Sequence, residues 1–231
     1  AINNAIDGTI TLNDASVALS GSSADIAAAL TGITSYTGTE TLNDNHSLSE
    51  LVTINNATSG NITLNSNAVA LTGSTSDVKA ALAGNVGASY TGNIVLNDAN
   101  ATSIAAADIT TIESDTTGTI TVSNNINLTG TSAQIAAAVA DVNTFSGSPT
   151  AALSDAHTLA ELKAINNAID GTITLNDASV ALSGSSSDVT AALNGITNYT
   201  GNVTLSDAHN LSQLKSINNA TSGSITLNDA S

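Results

Sequence analysis

The sequence predicts a repeat solenoid of about 52–58 residues per unit, in which parallel β-strands and short helices of one recurring unit stack on one another. Three observations carry that prediction. The phrase Ile-Asn-Asn-Ala begins at Ile2, Ile54, Ile165 and Ile217, with a decayed copy at Ile112, so the starts lie 52, 58, 53 and 52 residues apart. Residues 1–23 recur unchanged as residues 164–186. Inside each unit, a Gly-led stretch alternates β-branched apolar and polar residues, the period of a strand with one buried face. The spacing divides the chain into units 2–53, 54–111, 112–164 and 165–216 and the start of a fifth, 217–231, all in one continuous array.

Taken in order, the unit opens with the strand 8–14, which sets Ile10 and Leu12 on one face and Thr9 and Thr11 on the other. Residues 92–98 and 201–207 echo it. A second short strand follows at Val17-Ala18-Leu19 and at Val180-Ala181-Leu182. Helix-start signals come next, with Ser22, Ser74, Thr131 and Ser185 each followed three residues later by Asp25, Asp77, Gln134 and Asp188. Behind the first of them, Ile26, Leu30 and Ile33 have helical spacing. The second half of the unit repeats the device with Ser47/Glu50, Thr158/Glu161 and Asn210/Gln213, ahead of Leu48/Leu51, Leu159/Leu162 and Leu211/Leu214. The order is therefore strand, strand, short helix, strand, short helix. Helices of about two turns are not stable alone. A few aliphatic side chains worth about 1.5–3 kcal/mol apiece do not hold one unit together either. Stacked units cover each other's apolar faces, and helical connections favour parallel strand pairing.

Composition narrows the partners. Three lysines (Lys79, Lys163, Lys215) and no arginine stand against nineteen carboxylates, a formal charge of -16. That balance argues against nucleic acid and against an anionic membrane surface as partners. No apolar run reaches the ~18 residues of a membrane span, and no signal peptide is visible. The absence of Cys removes disulfides and zinc-thiolate sites together.

Asp14, Asp44, Asp98, Asp155, Asp177, Asp207 and Asp229 share one position, the turn after the Gly-led strand. Two readings apply. An Asp at such a place closes a turn on its own backbone. A column of carboxylates one coil apart also offers hard oxygen ligands to Ca2+. The histidines have one setting as well, Asp44-x-His46, Asp155-x-His157 and Asp207-x-His209, with Asn100 in the remaining unit. Recurring every second coil, ~10 Å apart, they cannot share a metal, which favours a capping or turn role. Tyr36, Tyr90, Phe145 and Tyr199 come once per unit, each two residues before a Gly, as a stacked column or as a sugar-binding platform. Glu40 breaks the pattern by standing where Ile94 and Val203 face inward, and Pro149 predicts a bulge across 147–153. No catalytic constellation is visible.

The phrases Leu-x-x-Ile-Asn-Asn-Ala-Thr-Ser-Gly-x-Ile-Thr-Leu and Gly-Ser-Ser-Ser-Asp-Val-Thr-Ala-Ala-Leu resemble the repeats of giant bacterial cell-surface proteins and adhesins, of Gram-negative and cyanobacterial type. The resemblance covers the whole chain in composition and rhythm. It implies an extracellular, cell-surface location, a structural or adhesive role, and calcium-binding segments, although the calcium nonapeptide of that group is missing. The leading expectation is a non-catalytic segment of a surface fibre, stalk or filament, whose partners are further repeat units or copies of itself. The second is a calcium-dependent adhesin repeat that binds surface glycans, and the third a polysaccharide-active β-helix enzyme. Neither end carries a polar cap, so the ends are expected to be covered by more units or by head-to-tail stacking of copies.

Overall fold

The computed structural model describes residues 10–33, 35–86 and 90–228. Along the first half of the chain lie β1 (Leu19–Gly21), α1 (Ser23–Leu30), β2 (Glu40–Leu42), α2 (Leu48–Ala57), β3 (Ile62–Thr63), β4 (Leu71–Gly73), α3 (Thr75–Leu82) and β5 (Ile94–Leu96). Then come β6 (Ser103–Ala105), α4 (Ala106–Asp115), β7 (Ile120–Val122), β8 (Asn127–Gly130), α5 (Ser132–Asp141), β9 (Thr144–Phe145) and β10 (Thr150–Leu153). The last stretch holds α6 (Leu159–Ala168), β11 (Ile173–Thr174), β12 (Leu182–Gly184), α7 (Ser186–Ala192), β13 (Val203–Leu205), α8 (Leu211–Ala220) and β14 (Ile225–Leu227). The chain is α/β: among the described residues, fourteen short strands form four small sheets and eight helices connect them.

These elements form two compact units, residues 1–98 with 111–123, and residues 99–110 with 124–231. In the first, Leu19 pairs with Glu40 and Glu40 with Ile62, while Leu71 pairs with Ile94 and Ile94 with Ile120, all in parallel. In the second, β6 pairs with β8, β8 with β10 and β10 with β11; separately, Leu182 pairs with Val203 and Val203 with Ile225, again in parallel. A helix runs between successive partners, which is what a parallel pair requires of its connection. Pairing also explains why the compact units cut across the repeats. Strand β6 belongs to the ladder of β8, whereas β7 belongs to that of β5.

Alternation decides which face is buried. Leu42, Ile94, Leu96, Ile120, Val122, Val203 and Leu205 point into the core, and Thr41 is exposed between Glu40 and Leu42. In the first unit Leu42 packs with Ile26, Leu30, Leu51 and Ile54 of the helices, and in the second Val203 and Leu205 pack with Leu162, Val189 and Ile217.

All seven expected N-caps occur. Ser47, Thr158, Thr131 and Asn210 close full capping boxes with Glu50, Glu161, Gln134 and Gln213. Ser22, Ser74 and Ser185 accept only the amides of Asp25, Asp77 and Asp188, because the shorter Asp side chain does not reach back to the cap amide.

Several boundaries differ from the sequence reading. Strands β1 and β12 begin at Leu19 and Leu182, two residues later than Val17 and Val180. Of the first expected strand, residues 8 and 9 lie outside the described residues. Its remainder, Ile10 to Leu12, joins no strand and leaves Leu12 36% exposed, since no described strand lies beside it to complete a ladder. The Ile-Asn-Asn-Ala phrase, which marks the unit starts and to which the sequence reading assigns no element, forms the last turn of α2, α6 and α8. The bulge expected across 147–153 is not found in the strand: pairing runs unbroken from Thr150–Asn127 to Leu153–Gly130, and residues 147–149 precede it.

Candidate functional site

The recurring chemistry of this chain lies in the seam where one strand–helix segment meets the next. Four of the seven expected Asp residues work there as helix caps. Asp44, Asp155 and Asp207 accept the first amides of α1, α5 and α7, from Ser23, Ser132 and Ser186, each at 2.7 Å. Asp98 does the same for α3, accepting the Thr75 amide at 3.0 Å and the Thr75 hydroxyl at 2.7 Å. Every one of these carboxylates reaches back to a helix that precedes it by more than twenty residues, and places negative charge at the positive end of that helix. Asp14 and Asp177 form turns instead, each accepting an amide and a hydroxyl, from Ser16 and Ser179, which hold both carboxyls below the usual range. Asp229 lies outside the described residues. The six described members of the column are thus split between two structural tasks. Among the described residues, no group of three or more His, Asp or Glu is placed to hold a metal ion.

The opposite ends of α3 and α7 are capped by a residue that the sequence reading passed over. The side-chain amide of Asn55, in α2, donates to the carbonyls of Ala80 and Ala83 at 2.7 Å, at the C-terminus of α3. Asn166 of α6 repeats this on Ala192 and Asn194, at 2.8 Å each, at the end of α7. The last carbonyls of a helix have no partner within it. Asn55 and Asn166 supply the donors at these two ends. The signal was available: Asn is a poor helix residue, yet an Asn pair persists unchanged through four copies of the phrase, and the copies in α2, α6 and α8 form helical turns.

Two further contacts fasten the seam. Glu50, besides closing its own capping box, accepts the Ser23 hydroxyl of α1 at 3.0 Å, and Glu161 accepts that of Ser132 in α5 at 2.9 Å. Glycines stack on glycines. A Cβ on Gly60, Gly118 or Gly223 would stand 1.8–2.2 Å from the carbonyl oxygen of Gly38, Gly92 or Gly201. Thr58, Thr116 and Thr221 hydroxyls donate to those same carbonyls across the gap, at 2.8–3.2 Å.

The aromatic residues are structural. Tyr36, Tyr90 and Tyr199 are 4%, 1% and 1% exposed, which leaves no sugar-binding platform on these rings. Each ring covers the position that a Cβ on the glycine two residues later would need, at 2.7–2.8 Å, which explains the Tyr-x-Gly spacing. Their hydroxyls donate to the carbonyls of Val17, Val69 and Val180. Burial pushes the Tyr90 and Tyr199 hydroxyls up to about 12, so both remain donors.

His46 and His157, each 3% exposed, place Nε2 3.1 Å from the Tyr90 and Tyr199 hydroxyls. For His46 and His157 the expected capping or turn role is therefore replaced by a buried partnership with an aromatic residue more than forty positions ahead. Glu40 faces inward as expected and is 0% exposed. Among the described residues neither of its oxygens completes a hydrogen bond, and burial pushes its carboxyl up against a weaker opposing pull from the Thr58 hydroxyl and a backbone amide.

Surface grooves recur with the seam. One of about 780 Å³ beside α2 is lined by Leu48, Val52, Gly73 and Asp77, and one of about 570 Å³ beside α6 by their counterparts Leu159, Lys163, Gly184 and Asp188. Lys163 and Asp188 form an ion pair across the second groove.

No protein-family profile, curated protein or solved structure matches the chain. What the seam can do chemically is hold like segments together. Its cap, glycine, tyrosine and histidine contacts join residues nineteen to forty-four positions apart, and each kind occurs at least twice.

Proposed function

We propose that this chain is a non-catalytic structural segment of an extracellular bacterial surface fibre or stalk, built as a solenoid that lengthens by adding like units. The observation that carries this reading is the recurrence of the seam. The same Asp and Asn caps fasten successive segments in both compact units, so the surface left by one segment is the surface that the next requires. Leu48 and Leu159 pack over Gly73 and Gly184 of the strand that follows them, whereas their counterpart Leu211 is 82% exposed. A further unit, or the matching strand of another copy, covers it. Stability in such an array is shared between neighbours rather than held within a unit. The acidic surface keeps arrays apart from one another and from anionic surfaces.

Antibodies raised against the chain, applied to intact cells of the producing organism under the electron microscope, test the proposal. Labelled fibres or stalks outside the cell are expected. Label confined to the cell interior would overturn it.

A further inference from the structure

We propose that the two buried His–Tyr pairs are acid-sensitive joints, which fasten one segment to the next while His46 and His157 are neutral and open when these rings take up a proton. The inference rests on the seam geometry and not on where the array is used.

The hydrogen bonds fix the state of each ring. A tyrosine hydroxyl has one proton, and Tyr90 and Tyr199 give theirs to the Val69 and Val180 carbonyls. The imidazole Nε2 at 3.1 Å must therefore be the donor, which leaves Nδ1 bare. Among the described residues Nδ1 of His46 and of His157 has no partner, although both atoms are buried. A proton placed there adds a charge and an N–H where no acceptor stands, and both are costly in a buried site.

The chain contains its own control. At the one remaining junction Asn100 of the second unit stands at the histidine position and Phe145 of the third at the tyrosine position, so the ring and the hydroxyl are lost together. That concerted change is what a working pair predicts.

The charged groups facing His46 are Asp44 and Glu50, and those facing His157 are Asp155, Glu161 and Asp177. Burial outweighs these carboxylates and holds both histidines below the usual value of 6.5. The unfolded chain consequently takes up protons first as the pH falls. Stability from the joints is complete above about 6.5 and is lost as the pH falls through the depressed values. Glu50 and Glu161, held low by the cap amides of Ser47 and Thr158, weaken the fold only below their usual 4.5. Glu40 and Asp115 are pushed up by burial and act in the opposite direction, and both belong to the first unit. The His157 joint in the second unit is therefore the clearer reporter.

Hydrogen exchange of the full chain at pH 7.5 and pH 5.5, corrected for intrinsic rates, tests the joint at the Thr200 and Gly201 amides, which donate to the Ala178 carbonyl beside Tyr199. Protection is expected to fall on the order of tenfold in the unaltered chain and to stay level in the H157N/Y199F variant, which carries the natural Asn–Phe combination. An equal fall in both chains, or none in the unaltered chain, would overturn the proposal. Should the variant not fold, the Cε1–H resonance of His157 in the unaltered chain decides the matter. A titration midpoint below 6.5 is required, and one at or above it overturns the joint.

Discussion

Gly118→Ala is expected to cost the fold about 4 kcal/mol or more, the range reserved for changes that force backbone to move. The added Cβ would stand 2.2 Å from the Gly92 carbonyl oxygen and 2.5 Å from its carbon. Neither atom can rotate away, because the Gly92 carbonyl also accepts the Thr116 hydroxyl at 3.1 Å and its amide donates to the Asn67 carbonyl at 3.0 Å. Gly84→Ala is the matched control. Gly84 has φ +42° and nothing within 4 Å of the added carbon, so only the left-handed backbone penalises the change, by about 1 kcal/mol. Urea unfolding of the two variants separates close approach from backbone freedom. Equal midpoints for the two would show that the glycine column is not packed as described.

Glu40→Val is expected to stabilise the chain by about 2–4 kcal/mol at neutral pH. The estimate adds the burial of an aliphatic side chain to relief from an unpartnered carboxyl. Glu40 stands between Leu19 and Ile62 in the first sheet, in the place that Val203 occupies between Leu182 and Ile225 in the second unit. The seat therefore already accepts valine elsewhere in the chain. A carboxyl whose folded value is raised contributes most when protonated, so the wild-type chain regains stability as the pH falls through that value towards 4.5. The advantage of valine should shrink over the same range. Thermal melts at pH 7 and pH 5 read both effects, and a valine variant no more stable than the parent at pH 7 would contradict them.

Much of this architecture was legible in the sequence because it is periodic. Alternation around Ile94 and Val203 announced the strands, and the Ser/Thr-x-x-Glu/Gln spacing announced helices α2, α5 and α6, since both patterns are local. The inward position of Glu40 followed from aligning copies of one phrase. What stayed hidden depends on contacts between segments. Nothing within the local text of Asn55 says that its amide caps a helix beginning twenty residues later, or that the Asp44 carboxylate reaches back to α1. The His46–Tyr90 pair spans forty-four positions and becomes visible only when Asn100 and Phe145 are read as a joint exception. The Asp column was legible as a column, but its division into helix caps and turns required coordinates.

The central claim is that segments are stable because of their neighbours, through the seam, and not by themselves. Residues 165–216, prepared alone, test it most directly. This fragment has the length of one repeat and keeps the Asp207 bond to Ser186, but it loses the first six residues of α6, the helix that presents Asn166, together with the β14 ladder beside β13 and the last turn of α8. Its thermal unfolding and amide NMR dispersion are to be compared with those of the full 231-residue chain. The account predicts a largely unfolded fragment with collapsed dispersion, beside a full chain that melts cooperatively. A fragment with a sharp thermal transition and native-like dispersion would contradict it.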